Sequence, residues 1–388
     1  MKINKIKKRK ILFVTERRAD YSRLKPIMKL VKESNKLTLQ LVITGLHLSK
    51  EFGDTSQVIE KDGFHVDAFL PVYKKGDADD GVAMSHSFGS FVHVLTDAIS
   101  KLKPDVVFCG FDLGAHLAAA IVGMHLNIPV AHIQGGERSG TIDEVIRHAT
   151  TKFSHIHFVA TKESKKRVIK LGEDPKYVFL VGSPSLDTIH SIKYQSRNKV
   201  FKKYGINPKK LLIIFSQHPV TTEVDEVVKQ IKESVEALSY FKKEYNAEVI
   251  AIYSNNDSGG KRIVKELQKS DFKVFPHIVY EDYLRLLKVA DVLVGNSSAG
   301  IHEAPSFGLP VVNIGTRQQF RERGVNVIDV SCNKNEIKNA ITKALLDKKF
   351  IVKVKKGKNP YDFGKAAPKI INVLEKVVLP SVQKVIYY

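Results

Sequence analysis

The densest group of chemically useful side chains is Gln134-Gly135-Gly136-Glu137-Arg138-Ser139-Gly140-Thr141-Ile142-Asp143-Glu144, which follows the strand-like run Pro129–Ile133. Its two leading glycines let backbone approach a ligand closely. Glu137 and Asp143 are candidate acid–base groups, carboxylates whose surroundings can push their pKa values apart. Asp143 also suits the start of a helix, with Arg147 and His148 one turn on, and it can serve both ends. A further carboxylate, Asp112, stands in Gly110-Phe111-Asp112 after the strand-like Asp105–Cys109. There it is either a general base or the N-cap of a helix beginning near Gly114. His218, in Ser216-Gln217-His218-Pro219, is held extended by the proline after it and suits phosphate contact or proton transfer.

A second set of residues suits an anion. Gly295-Asn296-Ser297-Ser298-Ala299-Gly300 follows the strand-like Val292–Val294 and opens a helix. Small residues at a helix N-terminus leave N–H groups open to a diphosphate, and the hydroxyls of Ser297 and Ser298 add donors. Glu303 is expected one turn inside that helix, placed to accept hydrogen bonds from a ribose diol. Arg18, in Glu16-Arg17-Arg18-Ala19-Asp20 after Ile11–Thr15, offers paired hydrogen bonds to a phosphate. Gly315-Thr316-Arg317 closes the run Pro310–Ile314 at the same edge. His47, in Gly45-Leu46-His47 after Leu39–Thr44, either acts on a ligand or fixes its own loop.

These loops need elements to position them. Short apolar runs at 11–15, 39–44, 66–70, 105–109, 129–133 and 157–160 alternate with helical periodicity at 24–33, 57–62, 88–102 and 114–126. After a break near Leu186–Asn198 the pattern restarts, with strands at 211–215, 248–253, 274–275, 292–294 and 310–314. Helices fall at 223–245, 260–269, 280–288 and 334–346. This is the signature of an α/β chain with two Rossmann-like, doubly wound domains and a cleft between them. The domains are expected at 1–188 and 189–365, with 366–388 as a C-terminal helix and tail. Ligands of such sheets bind beyond the carboxyl ends of the strands, where the polar residues fall.

The bulk numbers agree. With 388 residues the chain is long enough for two cores, and 43% hydrophobic residues exclude wholesale disorder. The net charge of +21 favours anionic partners, but the lysines are spread along the chain, which points to a solvated surface rather than a nucleic-acid site. Cys109 and Cys332 alone cannot make a disulfide framework or a cysteine zinc site. The basic opening MKINKIKKRK precedes only four apolar residues, and no run is long enough to span a membrane, so a cytoplasmic protein is expected.

Together the segments RADYSRLKPIM, TGLHLSKEFGDT, HIQGGERSGTIDEVIRHATTKFSHIH, QHPVTT and VGNSSAGIHEAPSFGLPVVNIGTRQ, with the RERG that follows, resemble the hydrolysing UDP-N-acetylglucosamine 2-epimerases of sialic-acid biosynthesis. The resemblance implies a glycosyltransferase-B-like fold whose C-terminal helix, Ala366–Val377, crosses back onto the first domain. It implies no metal and no cofactor, a UDP-sugar as partner, no nucleic acid or membrane, and a homo-oligomer, dimer or tetramer. The implied reaction eliminates UDP to a 2-acetamidoglucal and then adds water from the same face, giving N-acetylmannosamine. By motif position Asp112, Asp143 and His218 match catalytic residues, and Arg18, Ser297, Ser298 and Glu303 match the UDP-binding set. Two departures stand out: Phe111-Asp112-Leu113 replaces Gly-Asp-Arg, and Gln134 stands where many members have a catalytic Glu. A neutral amide cannot take a proton as a carboxylate does, so Glu137 or a water takes over that step, or the substrate differs. On this reading Gln134→Glu is neutral or activating if the missing carboxylate is the only defect. Changing the sugar, for example to UDP-N,N'-diacetylbacillosamine, keeps the same chemistry. A glycosyltransferase of the same fold has no need to deprotonate C2, and a nucleic-acid binder has no need of the converging carboxylates.

Overall fold

The computed structural model describes residues 7–49, 55–73 and 78–388, so residues 50–54 of TGLHLSKEFGDT and the first six residues lie outside the described chain. The first sheet contains β1 (Arg9–Thr15), β2 (Leu37–Thr44), β3 (Ala68–Leu70), β4 (Val106–Gly110), β5 (Val130–Ile133), β6 (Ile156–Val159) and β7 (Val178–Leu180), in the order β3-β2-β1-β4-β5-β6-β7. The second contains β8 (Leu212–Ser216), β9 (Glu248–Ile252), β10 (Lys273–Phe275), β11 (Val292–Gly295), β12 (Val311–Ile314) and β13 (Val327–Val330), in the order β10-β9-β8-β11-β12-β13.

All pairings are parallel, so the intervening helices cover both faces, and the central strands can be apolar throughout. Successive residues of β1 feed opposite cores. Ile11 and Phe13 lie on one face with Phe108, whose ring stacks on Phe13 at 4.6 Å, while Leu12 and Val14 lie on the other with Leu95 and Val107. The second sheet repeats this with Phe215 and Val294 on one face and Ile214 and Leu293 on the other. In each sheet the chain direction of winding reverses once, between β1 and β4 and between β8 and β11, and such a reversal opens a crevice at the strand ends.

The structure revises several boundaries. The edge strands β7 and β13 are additional to those expected; β7 is the short apolar run Val178–Leu180, and β13 is half-exposed with Asp329 in its middle. The first helix begins at Arg18 rather than Leu24, because the Asp20 carboxylate accepts the N–H groups of Glu16 and Arg17, both at 2.8 Å. The helix Gly81–Leu102 likewise starts well before Phe88, capped by Asp80. The long helix expected from Glu223 is Val227–Glu244, entered through a tight turn at Val224–Glu226.

The break near Leu186–Asn198 is no linker. It holds the helices Ser185–Ser191 and Arg197–Lys203, and Leu186 and Ile189 pack into the second core. The boundary expected at 188/189 falls inside the first of these helices, which bridges the two cores, since its Asp187 accepts the N–H groups of Ala366 and Ala367. The C-terminal helix Ala366–Lys376 returns to the first core through Ala366, Ala367, Ile370 and Leu374. Among the described residues no helix is long and apolar enough to cross a membrane.

Candidate active site

A cavity of about 250 Å3 lies at the ends of β1, β8, β9 and β11 and is lined by Arg18, Arg23, His218, Ser297, Ser298 and Glu303 among others. Among the described residues Arg18 makes no ion pair, and its Nη1 is buried without a partner. Burial pushes its guanidinium down to about 10. A half-buried cation with no counter-charge is unfavourable, and an anion entering the cavity would relieve that cost. Its neighbour Arg17 is already engaged, 3.1 Å from Glu16 and 3.7 Å from Asp257. Arg23 spans the cleft and donates to Ser298 Oγ at 3.2 Å.

The helix after Ser298 is only Ala299–His302, so Glu303 sits just beyond its end, not inside it. Glu303 Oε1 accepts from the Tyr280 hydroxyl at 3.4 Å, and its buried Oε2 has no partner, which leaves a free acceptor facing the cavity lining. Ile252, Pro276, Ile278 and Tyr283 supply a largely apolar wall that suits a flat heterocycle. Sequence reasoning missed this wall, although Pro276–Ile278 follow β10 under the same strand-end rule.

Asn296 and Gly300 serve the cavity from behind. Asn296 Oδ1 accepts the His218 N–H at 2.7 Å, and its Nδ2 donates to the His218 carbonyl at 2.8 Å. A Cβ on Gly300 would stand 2.8 Å from Val311, so this glycine allows close packing on β12. The His218 Nδ1 accepts the Asn255 N–H at 3.1 Å, which places its proton on Nε2. Burial, then Arg317 and Arg17, keep this imidazole neutral, well below its ordinary pKa. Arg18→Gln should weaken UDP binding by about 1.5–3 kcal/mol, roughly ten- to hundredfold, as measured by calorimetry. Unchanged affinity would show that Arg18 holds no anion in this cavity.

A larger chamber of about 850 Å3 shares Arg17 and Leu46 with the first and holds Asp112 and Asp143. Phe111, with φ 64, turns the chain sharply after β4, a left-handed conformation that costs a non-glycine residue on the order of 1 kcal/mol. Asp112 caps no helix. It accepts from Arg147 Nη2 and lies 3.7 Å from Arg321 Nη2. Burial alone would raise its carboxyl, but Arg147, Arg321, Arg317 and Arg23 hold it at about 2. Asp143 opens the helix Asp143–Phe153 without capping it and lies 3.5 Å from Arg317. Burial, then the charge of Asp112, raise Asp143 to about 6. One chamber thus holds one carboxylate that stays ionised and one that titrates near neutrality.

Gln134 and Glu137 line neither cavity. Gln134, with φ 59, donates through Nε2 to Glu137 Oε1 at 2.9 Å and to His302 Nδ1 at 3.2 Å. The other ring nitrogen, His302 Nε2, lies 2.6 Å from Arg321 Nη1 and 3.1 Å from Glu137 Oε2, which also accepts from Arg321 at 2.8 Å. Burial opposes ionisation of Glu137, but His302 and Arg321 hold its carboxyl far below the usual range. Both residues brace the wall of the chamber instead of facing a substrate.

Three residues expected to contact the ligand lie elsewhere. His47 is fully buried with both ring nitrogens engaged, 2.9 Å from Thr15 Oγ1 and 2.6 Å from Thr55 Oγ1, so it fixes its loop. Thr316 donates to Glu223, and Arg317 turns to Asp143 rather than to the smaller cavity. Sequence reasoning missed Arg23, His302 and Arg321, and noted Arg147 only as a helix residue. Their partners are far away along the chain, and only the RERG motif marked Arg321.

A family model described as UDP-N-acetylglucosamine 2-epimerase matches residues 29–375. The UDP-N,N'-diacetylbacillosamine 2-epimerase (hydrolyzing) of Legionella pneumophila is 38% identical over 377 residues, spanning 96% of this chain and 97% of that protein. A UDP-N-acetylglucosamine 2-epimerase of Neisseria meningitidis serogroup B is 35% identical over 345 residues, 88% of this chain and 89% of that protein. Among solved structures, a Neisseria meningitidis UDP-GlcNAc 2-epimerase bound to UDP-GlcNAc superposes with a TM-score of 0.80 at 21% identity, covering 94% of this chain and 99% of that one.

Proposed function

Because this chain belongs to the UDP-N-acetylglucosamine 2-epimerase family, we propose that it is a hydrolysing 2-epimerase in which Asp112 and Asp143 move the protons at C2 of a UDP-linked 2-acetamido sugar. The observation that carries this reading is the unlike pair of carboxylates in a chamber joined to a cavity with an unneutralised Arg18.

The chemistry follows from that arrangement. C2 of the sugar has no carbonyl beside it to acidify its proton. Departure of UDP must therefore run ahead, leaving an oxocarbenium-like centre that acidifies C2–H enough for a carboxylate to remove it. Arg18, the Ser297 and Ser298 hydroxyls and His218 Nε2–H stabilise the departing diphosphate. Asp112, ionised at any working pH, takes the C2 proton. Asp143, poised near 6, returns a proton to C2 from the other face while water adds at C1. UDP-sugar and water become the free manno-configured sugar and UDP.

For the sugar we favour the 2,4-diacetamido-6-deoxy hexose that names the Legionella relative. One side of the larger chamber is lined by Ala83, Met84, Phe88, Leu117 and Val145, surface better suited to a methyl group and an acetamide than to two hydroxyls. UDP-N-acetylglucosamine, the sugar expected from sequence and the one that names the Neisseria relative, is the comparator.

Both UDP-sugars are incubated with the protein in D2O and followed by proton NMR. The expected result is UDP release with deuterium at C2 of the free manno sugar, and kcat/KM about tenfold or more higher for the diacetamido substrate. Epimerised sugar still joined to UDP would replace hydrolysis with the non-hydrolysing reaction. Equal or better use of UDP-N-acetylglucosamine would restore that sugar as substrate, and no turnover of either would end the reading.

A further inference from the structure

One loop of the second domain, between β12 and β13, reaches three carboxylates of the first domain. Arg317 lies 3.5 Å from Asp143, and Arg321 lies 2.8 Å from Glu137 and 3.7 Å from Asp112. The loop is also pinned to the first domain at both ends. The Gly140 N–H donates to the Arg317 carbonyl at 3.0 Å, and a Cβ on Gly140 would fall 1.9 Å from the Thr316 carbonyl oxygen. Farther along, Glu322 accepts from Thr161 at 2.5 Å and from Arg167 at 3.1 Å.

We propose that Arg317 and Arg321 are positioning residues, reaching from the second domain to hold Asp112 and Glu137 ionised and to limit how tightly Asp143 keeps its proton, so that the Asp112–Asp143 pair is competent only while the domains meet. The proposal rests on the reaction assigned above, and neither arginine touches the diphosphate in it.

The groups around each acid explain why the two arginines matter. Asp143 faces Asp112 and Asp257, which disfavour its charge, and Arg317 and Arg147, which favour it. Asp112 faces Arg147 of its own domain together with Arg321 and Arg317 of the other. Arg147 remains in place whatever the second domain does, since it also donates to the Glu137 carbonyl at 3.0 Å and to Ser139 at 3.3 Å. Glu137, by contrast, has its ionic partners, Arg321 and His302, from the second domain. Separation of the domains would strip Glu137 of both and leave the Gln134 amide and the charge of Arg147 as its surroundings. Arg321 acts on both Glu137 and Asp112, so the proton affinities of the two change together when it is withdrawn.

The test uses the full chain with 13C-carboxyl aspartate and compares wild type with Arg317→Gln, Arg317→Lys and Arg321→Gln. In Arg317→Gln the Asp143 carboxyl should titrate about one pH unit or more higher. The alkaline fall of kcat should move up by the same amount, and Arg317→Lys should return both toward wild type. Arg321→Gln should lower kcat on the order of tenfold to hundredfold. UDP affinity by calorimetry should stay unchanged in all three. Lost turnover with an unmoved Asp143 titration would reduce Arg317 to a structural role, and UDP affinity lost in step with turnover would make both arginines ligand contacts. Either result overturns the proposal. If the wild type titrates as described yet turns over no UDP-sugar, the assigned reaction falls and the positioning role stands.

Discussion

Asp143→Asn should reduce kcat by about 10²–10⁴-fold while leaving UDP affinity intact. The side chain lines the larger chamber and not the smaller cavity proposed for UDP, so the loss should appear in turnover and not in calorimetric binding of UDP. Its pH dependence has a definite sign. Burial and the Asp112 charge raise the Asp143 carboxyl to about 6, so the protonated acid that serves C2 disappears as pH rises through that value. Wild-type turnover should fall on the alkaline side with an apparent pKa near 6, or higher once substrate expels water, and the residual activity of Asp143→Asn should lack that limb. Stability moves the other way. A carboxyl whose folded pKa lies above its unfolded value stabilises the fold below the unfolded pKa, and that contribution is lost as pH rises through the folded one. At pH 7–8 the ionised Asp143 therefore costs stability, and Asp143→Asn should match or exceed wild type in Tm. An inactive variant that also melts early would show damage to the fold instead of loss of the acid.

Gln134→Glu should unfold the braced wall of the site. The amide Nε2 stands 2.9 Å from Glu137 Oε1 in a fully enclosed position, and a carboxylate there would face a second carboxylate with no donor between them. One of the two must take a proton or the wall must open, as in any close pair of buried acids. Breaking a buried network of this kind costs about 3–5 kcal/mol, which should appear as a large drop in Tm and in turnover at pH 7. The variant should recover stability as pH falls, because the added acid has a raised folded pKa and is tolerated when protonated. Sequence reasoning leads to the opposite result, a neutral or activating change, because it sees a missing catalytic acid. Wild-type Tm and full activity in Gln134→Glu would return Gln134 to the reacting centre.

The two outcomes for Gln134 mark the limit of what the chain order reveals. Alternating apolar runs and helical periods show two parallel α/β domains, because each strand buried on both faces must be apolar throughout and each crossover needs a helix. From that alone the strand-end residues fall at a cleft, and Arg18, His218, Ser297, Ser298 and Glu303 do line the smaller cavity, as Asp112 and Asp143 line the larger. Strand-end position is a local property that survives without knowing which strands are neighbours.

Charge state is not local. Glu137 has the same standing in the sequence as Asp143, yet Arg321, 184 residues away, and His302 bind it into a buried network, while Asp143 faces Asp112 and becomes the titrating acid. His47 follows a strand as His218 does, but Thr15 and Thr55 occupy both its nitrogens. Thr316 and Arg317 end a strand at the right edge and then turn to protein partners, Glu223 and Asp143. The sequence determined which residues stand at the strand ends. Only the tertiary structure decided which of them hold the protein together and which remain free to react, because burial and charges brought near through space, not along the chain, set the proton affinity of each group.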